Sequence, residues 1–179
     1  MHSTRWAITV VAAMTFAACG SQTVPPATEP TAPSALLVHD RWISCEDELG
    51  RGASPLGRGE DATSMPRLNA TFVPVSVVLC DQQLQGDGGE GLVGTERSST
   101  DVDALVSALL LPDQLPPADI CTMQAVLLPW FALRDAAGRW TRVSLPRDVC
   151  TQPRVEVMGA LGALRLDTVS TWAIREPLQ

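Results

Sequence analysis

The stretch from Cys121 to Cys150, CTMQAVLLPWFALRDAAGRWTRVSLPRDVC, restricts the possible folds more than any other part of the chain. Two apolar runs, Ala125–Leu133 and Trp140–Leu145, flank Asp135-Ala136-Ala137-Gly138, a short polar stretch ending in the glycine that a tight turn needs for a positive φ. The pattern predicts a β-hairpin. Folding about that turn brings the two ends together, so Cys121 and Cys150 arrive nearly opposite each other and can close as a disulfide. The stretch announces no chemistry: no histidine follows His39, and neither metal-ligand spacing nor a glycine-rich phosphate loop is present.

With Cys19 set aside, Cys45, Cys80, Cys121 and Cys150 form an even set that permits three pairings. Hairpin geometry favours Cys121–Cys150 and leaves Cys45 with Cys80. In the loop-entropy description each link stabilises the fold by roughly 3.5–4 kcal/mol. A zinc site is the rival reading, but there is no CxxC pair, and export favours oxidation.

Export is what the amino end predicts. Arg5 supplies a positive n-region, and Trp6–Ala18 is an apolar stretch too short to span a bilayer, which needs about 20 residues. Phe16-Ala17-Ala18-Cys19 resembles the lipobox of bacterial lipoproteins, with Phe16 standing where leucine is usual. The resemblance implies cleavage before Cys19, a thioether-linked diacylglycerol on Cys19, and a place on the extracytoplasmic face of the cell membrane. An ordinary secretory signal with an incidental cysteine is the alternative. Gly20–Pro33, with Pro25, Pro26, Pro30 and Pro33, reads as an extended tether. The expected organisation is therefore a signal over 1–18, a lipidated cysteine and Pro-rich tether over 19–33, and one extracytoplasmic domain over 34–179.

Charge narrows the partners. The net charge is −7 and every basic residue is arginine; loss of Arg5 with the signal makes the mature chain one unit more negative. No concentrated positive face is visible, which argues against nucleic acid and against attraction to anionic lipid, so the acyl chains must hold the protein to the membrane. Hydrophobic residues make up 45% of the chain, enough for a packed core.

Along the domain, Ala35–Ile43 reads as a first strand, Glu46–Pro66 as a long surface loop, and Thr71–Leu79 as a second strand that Pro74 places at an edge or a bulge. Asp81–Gly94 reads as a flexible connector, since it lacks the ligand spacing of a calcium loop. Thr100 with Asp103 resembles a capping box opening a helix whose stripe is Val102, Leu105, Val106, Leu109 and Leu110 and which Pro112 stops. Pro153 starts a second helix, in which Gly159 and Gly162 allow close packing on the sheet. Leu166–Arg175 is the last strand. The order β-β-α-β-β-α-β predicts an α+β fold: an antiparallel sheet of about five strands with two helices packed on it and two disulfides.

Isolated candidates have plain explanations. His39, alternating with apolar residues, is expected to be partly buried and structural, because a chain with no other mature histidine builds neither a triad nor a multi-histidine metal site. Glu46-Asp47-Glu48 reads as a solvated acidic turn and Asn69-Ala70-Thr71 as an incidental sequon. No acid pair stands out for catalysis. The residues predict a non-enzymatic module without metal or cofactor, binding a secreted or envelope protein.

One constellation says more. Ala32-Pro33-Ser34-Ala35-Leu36 before the first strand, the strand ending in Cys80, Cys121-Thr122-Met123-Gln124, then Gly138, Trp140, Arg142-Val143 and Cys150, resemble the subtilisin inhibitor-like family of secreted bacterial serine-protease inhibitors. That family has a five-stranded antiparallel sheet and two helices. The resemblance implies that Thr122, Met123 and Gln124 form the protease-binding loop, with Met123 in the specificity pocket and Met123–Gln124 as the presented bond. It also implies that Cys45 stands in for a cysteine the family carries in its first helix.

Overall fold

Val77-Val78-Leu79-Cys80 is apolar at every position, as a strand covered on both faces must be. In the computed structural model, which describes residues 35–59, 62, 64–85, 91–114, 121 and 126–175, this run lies in β1 (Ser76–Leu84) at the centre of the sheet. The strand order is β4-β3-β1-β2-β5, with β2 Leu92–Ser99, β3 Trp130–Arg134, β4 Trp140–Thr141 and β5 Asp167–Ala173. All neighbours are antiparallel. On one face Val77, Leu79, Phe131 and Leu133 pack with Leu105 and Leu109 of α2 (Asp103–Leu109) and Val157 and Leu161 of α3 (Val155–Ala163). On the other, Val78, Cys80, Trp130 and Ala132 pack with Trp42, Cys45, Trp140 and Trp172. The alternation of strand side chains thus feeds two cores.

The α+β class, five antiparallel strands, two disulfides and the order β-β-α-β-β-α-β from β1 to β5 are as expected, but one expected strand is absent and one strand lies where none was expected. Ala35–Ile43 is not a strand. It makes a single bridge, His39 to Trp140, because β4 has only two residues and offers no longer edge to pair with. Ser44 then turns the chain into a short helix, α1 (Cys45–Leu49): its hydroxyl accepts from Asp47 N–H at 3.1 Å, and three acids in the first turn suit the positive helix end. The loop expected over Glu46–Pro66 therefore opens in a helix, and it buries Ala53 and Ala62.

The other correction is β2, whose polar sequence hides it. Asp81–Gly94 is no connector: it holds the end of β1 and the start of β2, paired up to Leu84 with Leu92 and closed by Gln85 N–H on Gly91 C=O at 3.0 Å. Pro74 lies outside β1, which is central rather than at an edge. The capping box does not form either. Val102 is the N-cap residue of α2 and makes no side-chain cap bond, while the Ser99 hydroxyl accepts from Asp101 N–H at 3.1 Å as the chain turns out of β2.

The central hairpin forms about the expected turn but with shorter arms than the apolar runs indicate, since β3 opens only at Trp130 and β4 ends at Thr141. Arg134 pairs with Trp140, Gly138 sits at φ +79°, and the Asp135 carboxylate accepts from Ala137 N–H and Arg139 N–H, both at 2.9 Å. Gly159 and Gly162 are not packed on the sheet: nothing lies within 4 Å of where a Cβ would stand at either. Packing requires glycine instead at Gly59, where a Cβ would run into the Leu128 backbone, and at Gly94. Trp172, the one buried residue of the edge strand β5, lies across it, so that a Cβ at position 94 would fall 2.0 Å from the indole Cε2. Gly94→Ala is expected to displace that ring and cost about 2 kcal/mol, read by urea unfolding together with a shifted tryptophan emission.

Candidate functional site

Cys121 and Cys150 are bonded, with Cα atoms 5.6 Å apart. Thr122, Met123 and Gln124 lie outside the described residues, so the frame that carries them defines the geometry here. On the Cys150 side, Asp148 shapes a tight turn: its Oδ1 accepts from Cys150 N–H at 2.8 Å and Gln152 N–H at 2.9 Å, and its own N–H donates to Gln152 C=O at 2.7 Å. On the Cys121 side, Asp113 is the hub. Its Oδ1 accepts from Arg147 N–H at 2.8 Å and Arg67 Nη1 at 2.6 Å, while Gln114 N–H donates to Arg147 C=O at 2.9 Å. Arg154 Nη1 donates to Pro112 C=O at 2.9 Å. Pro112, Asp113 and Gln114 are thereby tied to the segment that leads into Cys150 and α3.

Partial burial pushes the Asp113 carboxyl up, but the Arg147 N–H bond and the guanidiniums of Arg67 and Arg147 outweigh it and hold the group below its ordinary value. Such a group stabilises the fold fully above its unfolded-state pKa, and the contribution is lost as pH falls through the lower folded value. Asp113→Asn is therefore expected to be less stable than the natural chain at pH 7, with the deficit closing below about pH 4. The measurement is the difference in urea midpoint at the two pH values. Asp113 is partly exposed, so the effect is modest.

The second pair, Cys45–Cys80, is enclosed in the tryptophan-rich core. Glu96 stands opposite Cys80 in the β1/β2 register and is only 3% exposed. Its Oε1 accepts from Trp42 Nε1 at 3.0 Å and its Oε2 from Cys45 N–H at 2.8 Å, so one carboxylate fixes both ends of the Trp42-Ile43-Ser44-Cys45 segment. Trp42 meets Trp140 edge-on at 5.2 Å between centroids, and the Arg142 guanidinium lies 4.5 Å over Trp130. His39, expected to be partly buried, is exposed and stacks flat on Trp140 at 4.1 Å. The sequence reading missed Glu96 and Asp113 altogether.

Glu46-Asp47-Glu48 forms the first turn of α1. Reduced contact with water raises the Glu48 carboxyl above its ordinary value against the lowering influence of His39. Asn69 closes a turn through its Oδ1, which accepts from Thr71 N–H at 2.9 Å and from the Thr71 hydroxyl. Among the described residues, no group of three or more His, Cys, Asp or Glu is placed to hold a metal ion, and no helix is long and apolar enough to cross a membrane.

A groove of about 370 Å³ borders the end of β1, with Leu56, Leu79, Leu128, Trp130, Met158 and Leu161 among its walls. It exists because β3 begins at Trp130, opposite Cys80, whereas β1 runs on to Leu84. No family model matches this chain, and no match is found among the curated proteins or the solved structures.

Proposed function

We propose that this chain is a lipid-anchored extracytoplasmic lipoprotein whose domain is a non-enzymatic module binding a secreted or envelope protein. The observation that carries the reading is the pair of disulfides, Cys45–Cys80 and Cys121–Cys150, in a chain whose amino end ends its apolar stretch on Ala17-Ala18-Cys19. Cys19 carries the lipid, residues 20–33 tether the domain, and no cofactor or nucleic acid is involved. Metabolic labelling with a fatty acid tests the anchor. Label is expected on the natural protein and absent from Cys19→Ala; undiminished label in the variant overturns it.

A second reading, a serine-protease inhibitor acting through Met123–Gln124, is favoured by one specific feature. The Cys121–Cys150 link fixes the chain two residues before Met123, and Asp113 and Asp148 hold the segment that carries Cys150, an arrangement that lowers the ordering cost of binding. Titration against subtilisin-type and chymotrypsin-type proteases is expected to give stoichiometric inhibition that moves toward trypsin in Met123→Lys. Absence of inhibition at micromolar protein removes this reading and leaves the first untouched.

A further inference from the structure

We propose that the groove at the open end of β1 is a docking site for an extended peptide segment of a partner protein, which seats one apolar side chain beside Gly162. The inference rests on the reading of the domain as a protein-binding module and gives that module a surface.

Three observations converge. The first is the strand edge. The bond from Gln85 N–H to Gly91 C=O directs the odd-numbered residues of β1 toward β2, so Gln82 and Leu84 turn their backbone groups to the side where β3 has ended. Gln82 N–H is bonded to the Asp81 carboxylate at 2.7 Å; the Gln82 C=O and both backbone groups of Leu84 have no partner among the described residues. Donors and acceptors at strand spacing are satisfied in register by another backbone, which distinguishes a peptide from an apolar small molecule.

The second is the groove itself. Its volume lies at the small end of the range for ligand pockets, about 300–1,000 Å³. It is predominantly apolar, with the exposed side chains of Leu56 and Leu127 and the Arg97–Asp81 ion pair among its lining. The third is Gly162. Glycine favours a helix less than alanine does, and in the last turn of α3 no packing demands it, since nothing lies within 4 Å of a Cβ at this position. Gly162 lines the groove; Gly159, equally open, does not. The room left by the missing side chain is room in the site.

The test uses the mature chain made soluble by Cys19→Ser. Its amide resonances are followed while an acetylated and amidated Thr-Val-Leu-Val-Thr peptide is added, with Thr-Asp-Asn-Asp-Thr as the control. Saturable shifts centred on Gln82, Leu84, Leu127 and Gly162 are expected with the apolar peptide alone. Gly162→Leu, which fills the groove and favours the helix, is expected to weaken binding about tenfold or more while leaving the unfolding midpoint unchanged or raised. Unsaturable shifts, equal binding of the control, or full binding by Gly162→Leu overturns the proposal. Saturable shifts centred elsewhere overturn the groove but leave the protein-binding reading standing. Shifts at the groove that follow dilution of the protein alone identify a second copy as the occupant and overturn the proposal.

Discussion

Replacing Cys45 and Cys80 together by alanine is expected to lower the unfolding free energy by about 5 kcal/mol, against about 3.5 kcal/mol for the same change at Cys121 and Cys150. Loop entropy does not separate the two links. Their sequence separations are 35 and 29 residues, and the logarithmic dependence makes that difference worth only about 0.2 kcal/mol. Burial separates them. Cys45 and Cys80 are 0% and 2% exposed among Trp42, Trp130 and Trp140, so alanine there leaves sulfur-sized voids in a packed core. Cys121 and Cys150 are half-buried, and solvent fills what their sulfurs vacate. Urea unfolding of the two double variants measures the difference, and the inner variant is expected to melt roughly 10–20 °C lower than the natural protein. Equal losses from the two variants would show that the tryptophan core adds nothing to the inner link.

What the sequence disclosed and what it concealed follow from the range of the interactions involved. The central hairpin was readable because Gly138 and the two apolar runs beside it are local. Leu105, Val106 and Leu109 of α2 were readable for the same reason, although Leu110 of the expected stripe lies past the helix and is exposed, and the cysteine pairing followed from the hairpin. Ala35–Ile43 looks like a strand residue by residue, yet a strand needs an edge to pair with, and the length of β4 is not written in residues 35–43. β2 is the converse. Thr95, Glu96, Arg97 and Ser98 look like solvent-exposed chain, but Glu96 is enclosed by Trp42 and Cys45, 54 and 51 residues away in sequence. No window of local pattern contains both the acid and what covers it. Asp113, held by Arg67 and Arg147 from 46 and 34 residues away, escapes for the same reason. The groove is less legible still, because it arises from the place where β3 stops relative to β1.

Glu96→Ala is expected to cost about 3 kcal/mol, more than a surface carboxylate could. The substitution removes the acceptor for two enclosed donors, the Trp42 indole N–H and the Cys45 backbone N–H, and a stranded buried donor costs about 1–3 kcal/mol. Glu96→Gln separates shape from charge. The amide keeps one oxygen for one donor but turns its NH2 group on the other, so about 2 kcal/mol is expected to be lost even though the volume is nearly unchanged. The consequence is expected to reach the disulfide, because the Cys45 N–H bond anchors Cys45 on Glu96, the residue paired with Cys80 in the sheet. During oxidative refolding, both variants are expected to close Cys45–Cys80 more slowly than the natural chain, with Cys121–Cys150 closing at the natural rate. Mass spectrometry of alkylated peptides taken through the reaction follows the two links separately. A uniform slowing of both would mean that Glu96 acts on the stability of the whole fold. Slowing of the inner link alone would mean that a strand acid aligns a cysteine for its partner, which is the role its two hydrogen bonds define.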